Sequence, residues 1–192
     1  TSHAAEPEKG ISPAISMAKI IESVTQLPQK KYLFNDFVLT TIVHARLGEA
    51  SFGTTPGQAE IWITLRSFED ADMNVLIEHT KNAIYLIASH QGLKADLSFT
   101  DIYPSTQNNP ALMKIVQESA ERLGYQIIPL ENPFPWAEDF SQFSKRFKSV
   151  FFGLGAGVEH PKLHNPDYNF PDEIIPYGVN LFYQVYLNHF EL

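Results

Sequence analysis

The chain has 192 residues, 44% of them hydrophobic and 12% aromatic, with no cysteine and a formal net charge of -8. That is enough apolar material for a packed core. It excludes disulfides, thiolate metal ligands and a cysteine nucleophile, and its acidity argues against a nucleic-acid partner, which needs clustered Lys and Arg. No apolar run approaches the roughly 20 residues of a membrane helix, and no signal peptide is legible, so no membrane partner is expected and a cytoplasmic location is. The chain opens T-S-H-A-A-E-P-E rather than with Met, and we read it as part of a longer polypeptide.

In chain order, Ser12 and Pro13 announce a helix, with Ala14, Met17, Ala18, Ile21 and Val24 on its apolar face and Pro28 beyond its end. Residues 37–47 are rich in β-branched side chains and read as a strand. The segment SFGTTPGQ at 51–58 is a turn, and 60–66 alternates as a second strand. A helix over 70–90 carries Met73, Leu76, Ile77, Ile84 and Ile87 on one face and stops at Gly92. Residues 93–99 alternate again. The order helix–strand–strand–helix–strand is one strand short of a split β-α-β-β-α-β unit. The absent strand would come first and be central, so the helix faces should be poorly covered.

The pattern changes near residues 100–108, where we place a domain boundary. Beyond it come a helix over 111–123, a short strand at 125–130, a proline-broken loop at 131–136 and a short helix at 138–147. An apolar run ending in glycines at 149–157 reads as a buried parallel strand meeting a site. A loop broken by Pro161, Pro166 and Pro171 precedes a last helix over 172–190. Two strands make a poor sheet alone. The second part therefore reads as the tail of a larger α/β layer, and the chain as a whole is α/β: an α+β lid followed by part of a catalytic layer.

Of the seven histidines, His44, His79, His90 and His189 have no partner at metal spacing. His160 and His164 sit in the proline-broken loop, where neutral imidazoles are common metal ligands. A self-contained site from Glu159, His160 and His164 is one possibility; a plain surface loop is another. Glu138 and Asp139 open a helix, either as an acidic start that suits the dipole or as acceptors beside a cationic site. His3 and Arg66 lie where strands meet solvent, and the Arg66 fork matches a carboxylate.

Four stretches carry a resemblance: S-H-A-A-E-P-E-x-G-x-S-P at 2–13, T-L-R-S at 64–67, A-E-D-F at 137–140, and G-L-G-A-G with L-H-N-P-D-Y-N-F-P-D across 153–172. In this order the chain resembles the aminoacylase and carboxypeptidase family of co-catalytic metallohydrolases. The similar branch holds hippurate hydrolases, N-acyl amino acid amidohydrolases and auxin-conjugate hydrolases. The resemblance implies that residues 1–100 are a lid and dimerisation domain lacking its first strand. It implies that residues 101–192 are the returning segment of a catalytic domain. It assigns His164 as a metal ligand, His3 as the contact to the scissile carbonyl as its oxygen gains charge, Arg66 as the grip on the substrate carboxylate, Gly155 as pocket lining, and Glu138 and Asp139 as an acid pair beside the site.

The metal implied is divalent, zinc in the first instance, with manganese or cobalt also suited to such ligands. The implied partners are the N-terminal half of the same protein, a small acyl-amino-acid or peptide substrate, and a second copy through the lid. Two departures stand out: Gly53 occupies the place where the family usually carries an Asn, and no H-x-D or Glu-Glu pair is present to complete a metal site. We therefore expect either one half of a metal-dependent amidohydrolase that is inactive alone, or a non-catalytic dimerisation or ligand-binding module of the same fold.

Overall fold

The computed structural model describes residues 1–191. Two compact units emerge: Thr1–Ser105 with Pro133–Ala137, and Thr106–Asn132 with Glu138–Leu192.

The first unit is built on an antiparallel pair, β2 (Val38–Leu47) and β4 (Ala59–Ser67), matching the two segments read as strands. Val43 is an extra residue in β2, since Ile42 faces Ile63 and His44 already faces Trp62. A second ladder joins β1 (Ser2–His3) to β3 (Thr54–Thr55), so the turn read at 51–58 contains a short strand that its composition hid. Two helices, α1 (Ala14–Gln26) and α2 (Asp70–His90), pack on one another and on the β2–β4 pair. Pro13, read as the first helical residue, is instead the N-cap of α1, and Ser12 just before it accepts from the Ala14 amide through Oγ at 3.4 Å. Gly92 takes φ +67° and ends α2, with the Leu93 amide donating to Ala88 O at 2.9 Å.

The core sits where Leu27, Val38 and Leu76 meet, with Leu33, Phe34 and Leu65 against them. The buried stripes differ from those read in the sequence. On α1 the buried positions are Ser16, Ile20 and Val24, and on α2 they are Asp72, Leu76, Thr80 and Ala88. Met73, Ile77, Ile84 and Ile87 are only half covered, because a two-stranded sheet is too narrow to cover a full apolar face.

Asp72 is 1% exposed yet charged by type. Its carboxylate accepts from the Asn35 amide at 3.0 and 3.1 Å, the Asn35 side chain at 3.1 Å and the Asp36 amide at 2.8 Å. It lies in the first turn of α2, where the helix dipole favours negative charge. The carboxylate thus fixes the turn that feeds β2. Asp72→Asn keeps one acceptor oxygen but leaves at least one part-buried backbone donor unpaired, so urea unfolding should show a loss of about 1 kcal/mol.

The segment 93–99 forms no strand among the described residues. It keeps the alternation that suggested one, with Leu93, Ala95 and Leu97 half-buried and their neighbours exposed. A strand needs a neighbour to satisfy its amides and carbonyls, and the described residues supply none here.

In the second unit, α3 (Pro110–Arg122) packs on α5 (Ile175–Phe190). Asn109 caps α3 through Oδ1, which accepts from the Leu112 amide at 3.1 Å, and Pro110 opens it. The segments read as strands at 125–130 and 149–157 have no β partner among the described residues. The second is not buried as expected: Phe151 and Phe152 are half-buried, but residues 153–159 are exposed. It is held by the neighbouring 108–109 stretch: the Asn109 amide donates to Ser149 O at 2.9 Å. Asn108 donates from Nδ2 to Phe151 O at 2.8 Å and accepts the Phe151 amide at 2.7 Å.

The short helix is also smaller than read. It shrinks to α4 (Ser141–Ser144), with no acid in its first turn. Glu138 and Asp139 precede it and bond through their main-chain carbonyls, to the Ser141 and Gln142 amides. The dipole rationale for the pair therefore does not hold.

Along α5, Leu181 is the one deeply buried residue, while Tyr177, Val179, Phe182, Tyr183, Tyr186 and Phe190 are exposed.

Candidate active site and metal ligand

His3 ends β1, and its Nδ1 accepts a hydrogen bond from the Ala5 amide at 3.1 Å. A ring nitrogen that accepts carries no proton, so in the neutral ring the proton sits on Nε2. The exposed nitrogen of His3 is therefore a donor, the polarity needed to bind a carbonyl oxygen that is gaining charge. This tautomer is not legible from residue order, because it depends on a main-chain amide two residues on.

Beside it lies Gly53, whose carbonyl accepts from the Ala4 amide at 3.0 Å. A Cβ built on Gly53 would meet no atom within 4 Å, so packing does not demand glycine there.

Arg66 lies on β4 opposite Leu39 and is half-buried. Its Nη1 donates to the carbonyl of Pro135 at 3.2 Å. Pro135 sits in a short loop stiffened by the stacked rings of Phe134 and Trp136, 4.3 Å apart and 12° from parallel. Among the described residues no carboxylate lies within ion-pair distance of Arg66. A guanidinium oriented by a neutral carbonyl keeps its charge for another anion. Pro135 is the one contributor here that sequence reasoning missed. His3 and Arg66 stand on separate ladders of the first unit.

His164 belongs to the second unit. It is exposed and adopts φ +71°, the left-handed region that disfavours most side chains. Its loop turns twice, through Asn165 N–H to Lys162 O and Tyr168 N–H to Asn165 O, both at 3.0 Å. A non-glycine residue held in that region points to a selected side chain rather than a selected backbone.

His160 cannot share a metal with it. Both ring nitrogens of His160 face main-chain oxygens, Nδ1 to Pro161 O at 2.9 Å and Nε2 to Asn169 O at 2.7 Å. Among the described residues no group of three or more His, Asp or Glu side chains could hold a metal ion. The self-contained site from Glu159, His160 and His164 is thereby corrected. A single exposed imidazole fits a metal as one ligand, and it is one ligand only.

Gly155 is exposed, and a Cβ there would meet nothing within 4 Å. The glycine its backbone requires is Gly157, at φ +102°. Glu138 and Asp139 are exposed.

The comparisons with known proteins agree with the family suggested by the motifs. Residues 6–188 match the profile of Peptidase family M20/M25/M40, and the chain belongs to that family. It is 26% identical to N-acetylcysteine deacetylase of Bacillus subtilis over 90% of this chain and 45% of that protein. A dinuclear metal-binding peptidase of the M20 family from Bacillus subtilis superposes with a TM-score of 0.65 at 22% identity, covering 91% of this chain and 45% of that one. The aminopeptidase PepT of Bacillus cereus gives a TM-score of 0.70 at 18% identity, over 97% of this chain and 48% of that one. The chain spans about half the length of the curated relatives it matches, 45% to 51% of each. Among the described residues no helix is long and apolar enough to cross a membrane.

Proposed function

We propose that residues 1–192 belong to a metal-dependent amidohydrolase that cleaves the amide bond of an N-acyl amino acid or a small peptide-like conjugate. His164 supplies one ligand of a divalent metal, with zinc the first candidate and manganese or cobalt the others. The observation that carries this reading is the exposed imidazole of His164, held on left-handed backbone in a chain with no second ligand cluster among its described residues.

The remaining ligands come from polypeptide outside these residues. Three findings support that. The relatives are about twice as long. The segments 93–99, 125–130 and 149–157, read as strands, form no ladder among the described residues. The aromatic face of α5 lies open, and exposed apolar area on this scale marks a surface made to be covered. A second copy docking through residues 1–100 is part of the same proposal. So is a cytoplasmic setting.

A divalent metal at such a site acidifies a bound water and polarises the substrate carbonyl. The chain's own residues do the rest. His3 donates from Nε2 to the carbonyl oxygen as charge accumulates, a contribution confined to the transition state. Arg66, steadied by Pro135, pairs its free guanidinium edge with the substrate carboxylate and fixes the register of the amide.

The substrate class follows from that cation and from the acyl-amino-acid chemistry of the B. subtilis deacetylase. A paired-substrate assay tests it. With the remaining ligands supplied, an N-acetyl amino acid should be cleaved much faster than the same compound with its carboxylate converted to an amide. Equal rates for the two, or cleavage of neither, would contradict the assignment.

A further inference from the structure

The imidazole of His160 is half-buried and takes no part in the chemistry above. Its two ring nitrogens reach opposite ends of one loop, Pro161 O at 2.9 Å and Asn169 O at 2.7 Å, and its ring meets Tyr168 edge-on with centroids 5.3 Å apart. His164 lies between those two anchor points. Pro161 and Pro166 have no amide hydrogen to donate, so this stretch has little main-chain bonding of its own beyond the two turns described. A left-handed histidine in such a loop persists only where its surroundings hold it.

We propose that His160 is a positioning residue for His164. Its imidazole, rooted at the start of the loop, reaches Asn169 O at 2.7 Å and so fixes the backbone from which His164 projects. The inference rests on the reading of His164 as a metal ligand. Carbonyl oxygens only accept, so the ring acts here as a donor, and a neutral imidazole has one N–H to give. Ligands held within a fraction of an ångström bind metals better than mobile ones, and loss of such support commonly weakens metal binding tenfold or more.

Three variants test this. His160→Phe keeps a ring against Tyr168 but cannot donate. His160→Gln restores one N–H. His164→Asn removes the ligand while suiting left-handed backbone. Amide hydrogen exchange is read on residues 1–192, and cobalt(II) affinity and visible spectrum on the protein carrying the remaining ligands. His160→Phe should speed exchange at Asn165 and Tyr168, leave α3 and α5 protected, weaken cobalt binding about tenfold and alter the cobalt spectrum. His160→Gln should recover most of that loss, which a purely space-filling role would not allow. Wild-type cobalt affinity and spectrum in His160→Phe, with affinity lost in His164→Asn, would overturn the positioning role and leave the ligand standing. Undiminished affinity in His164→Asn would remove the underlying reading itself.

Discussion

His164→Asn is expected to lose metal while folding as well as the parent chain. A four-ligand zinc site binds with roughly 10–16 kcal/mol, so one ligand contributes about 3 kcal/mol, or about a hundredfold in affinity. The stability side is argued from the backbone. His164 sits at φ +71° and is exposed, so its side chain supports no core. Asn is better suited than most residues to that conformation, and the variant's urea midpoint should match or slightly exceed the parent's. The pairing of unchanged stability with lost metal separates ligand from scaffold. A variant that keeps its metal, or one that unfolds, contradicts the assignment.

Arg66→Ala should raise KM by about tenfold to a hundredfold, the worth of a charge-assisted hydrogen bond to a carboxylate. In the binding role proposed for it, Arg66 would grip a part of the substrate that does not react, so kcat should change less than KM. Its one fixed contact is a carbonyl at 3.2 Å, so truncation should cost little stability. The same variant should treat the carboxylate and amide forms of the substrate alike. A fall in kcat alone, with discrimination intact, would move Arg66 out of the binding role. Arg66→Lys keeps the charge but loses the planar fork, and should recover only part of the affinity.

His164 and Arg66 could both be named from sequence, and the difference between what was legible and what was not is physical. The two helices of the first unit and the β2–β4 pair could be read because periodicity and punctuation agree there. Gly92 does stop α2, and Pro13 does precede α1. The strands at 93–99, 125–130 and 149–157 were read from alternation or apolarity alone. Those properties report what a segment can bury, not whether a neighbour exists to complete its hydrogen bonds. Leu93, Ala95 and Leu97 keep the pattern without the ladder.

The buried stripe of α2 was misplaced for a related reason. Asp72 and Thr80 lie on it although composition assigns them to water, and only the loop at Asn35 and Asp36 explains why a carboxylate is wanted at the first of them. At the site, residue type and motif order pointed to His3, Arg66 and His164. What they could not convey was geometry: the Ala5 amide that donates to His3 Nδ1, the Pro135 carbonyl beside Arg66, the left-handed backbone of His164, and the main-chain oxygens that face both ring nitrogens of His160.

The central claim is that His164 is one ligand of a metal centre completed by polypeptide beyond residues 1–192. Zinc titration monitored together with hydrolysis of an N-acetyl amino acid tests it most directly, run on residues 1–192 alone and again with the remaining ligands supplied. The account predicts weak zinc binding typical of a lone imidazole and no hydrolysis in the first case, with tight binding and turnover in the second. Tight stoichiometric zinc binding with full hydrolysis by residues 1–192 alone would contradict it.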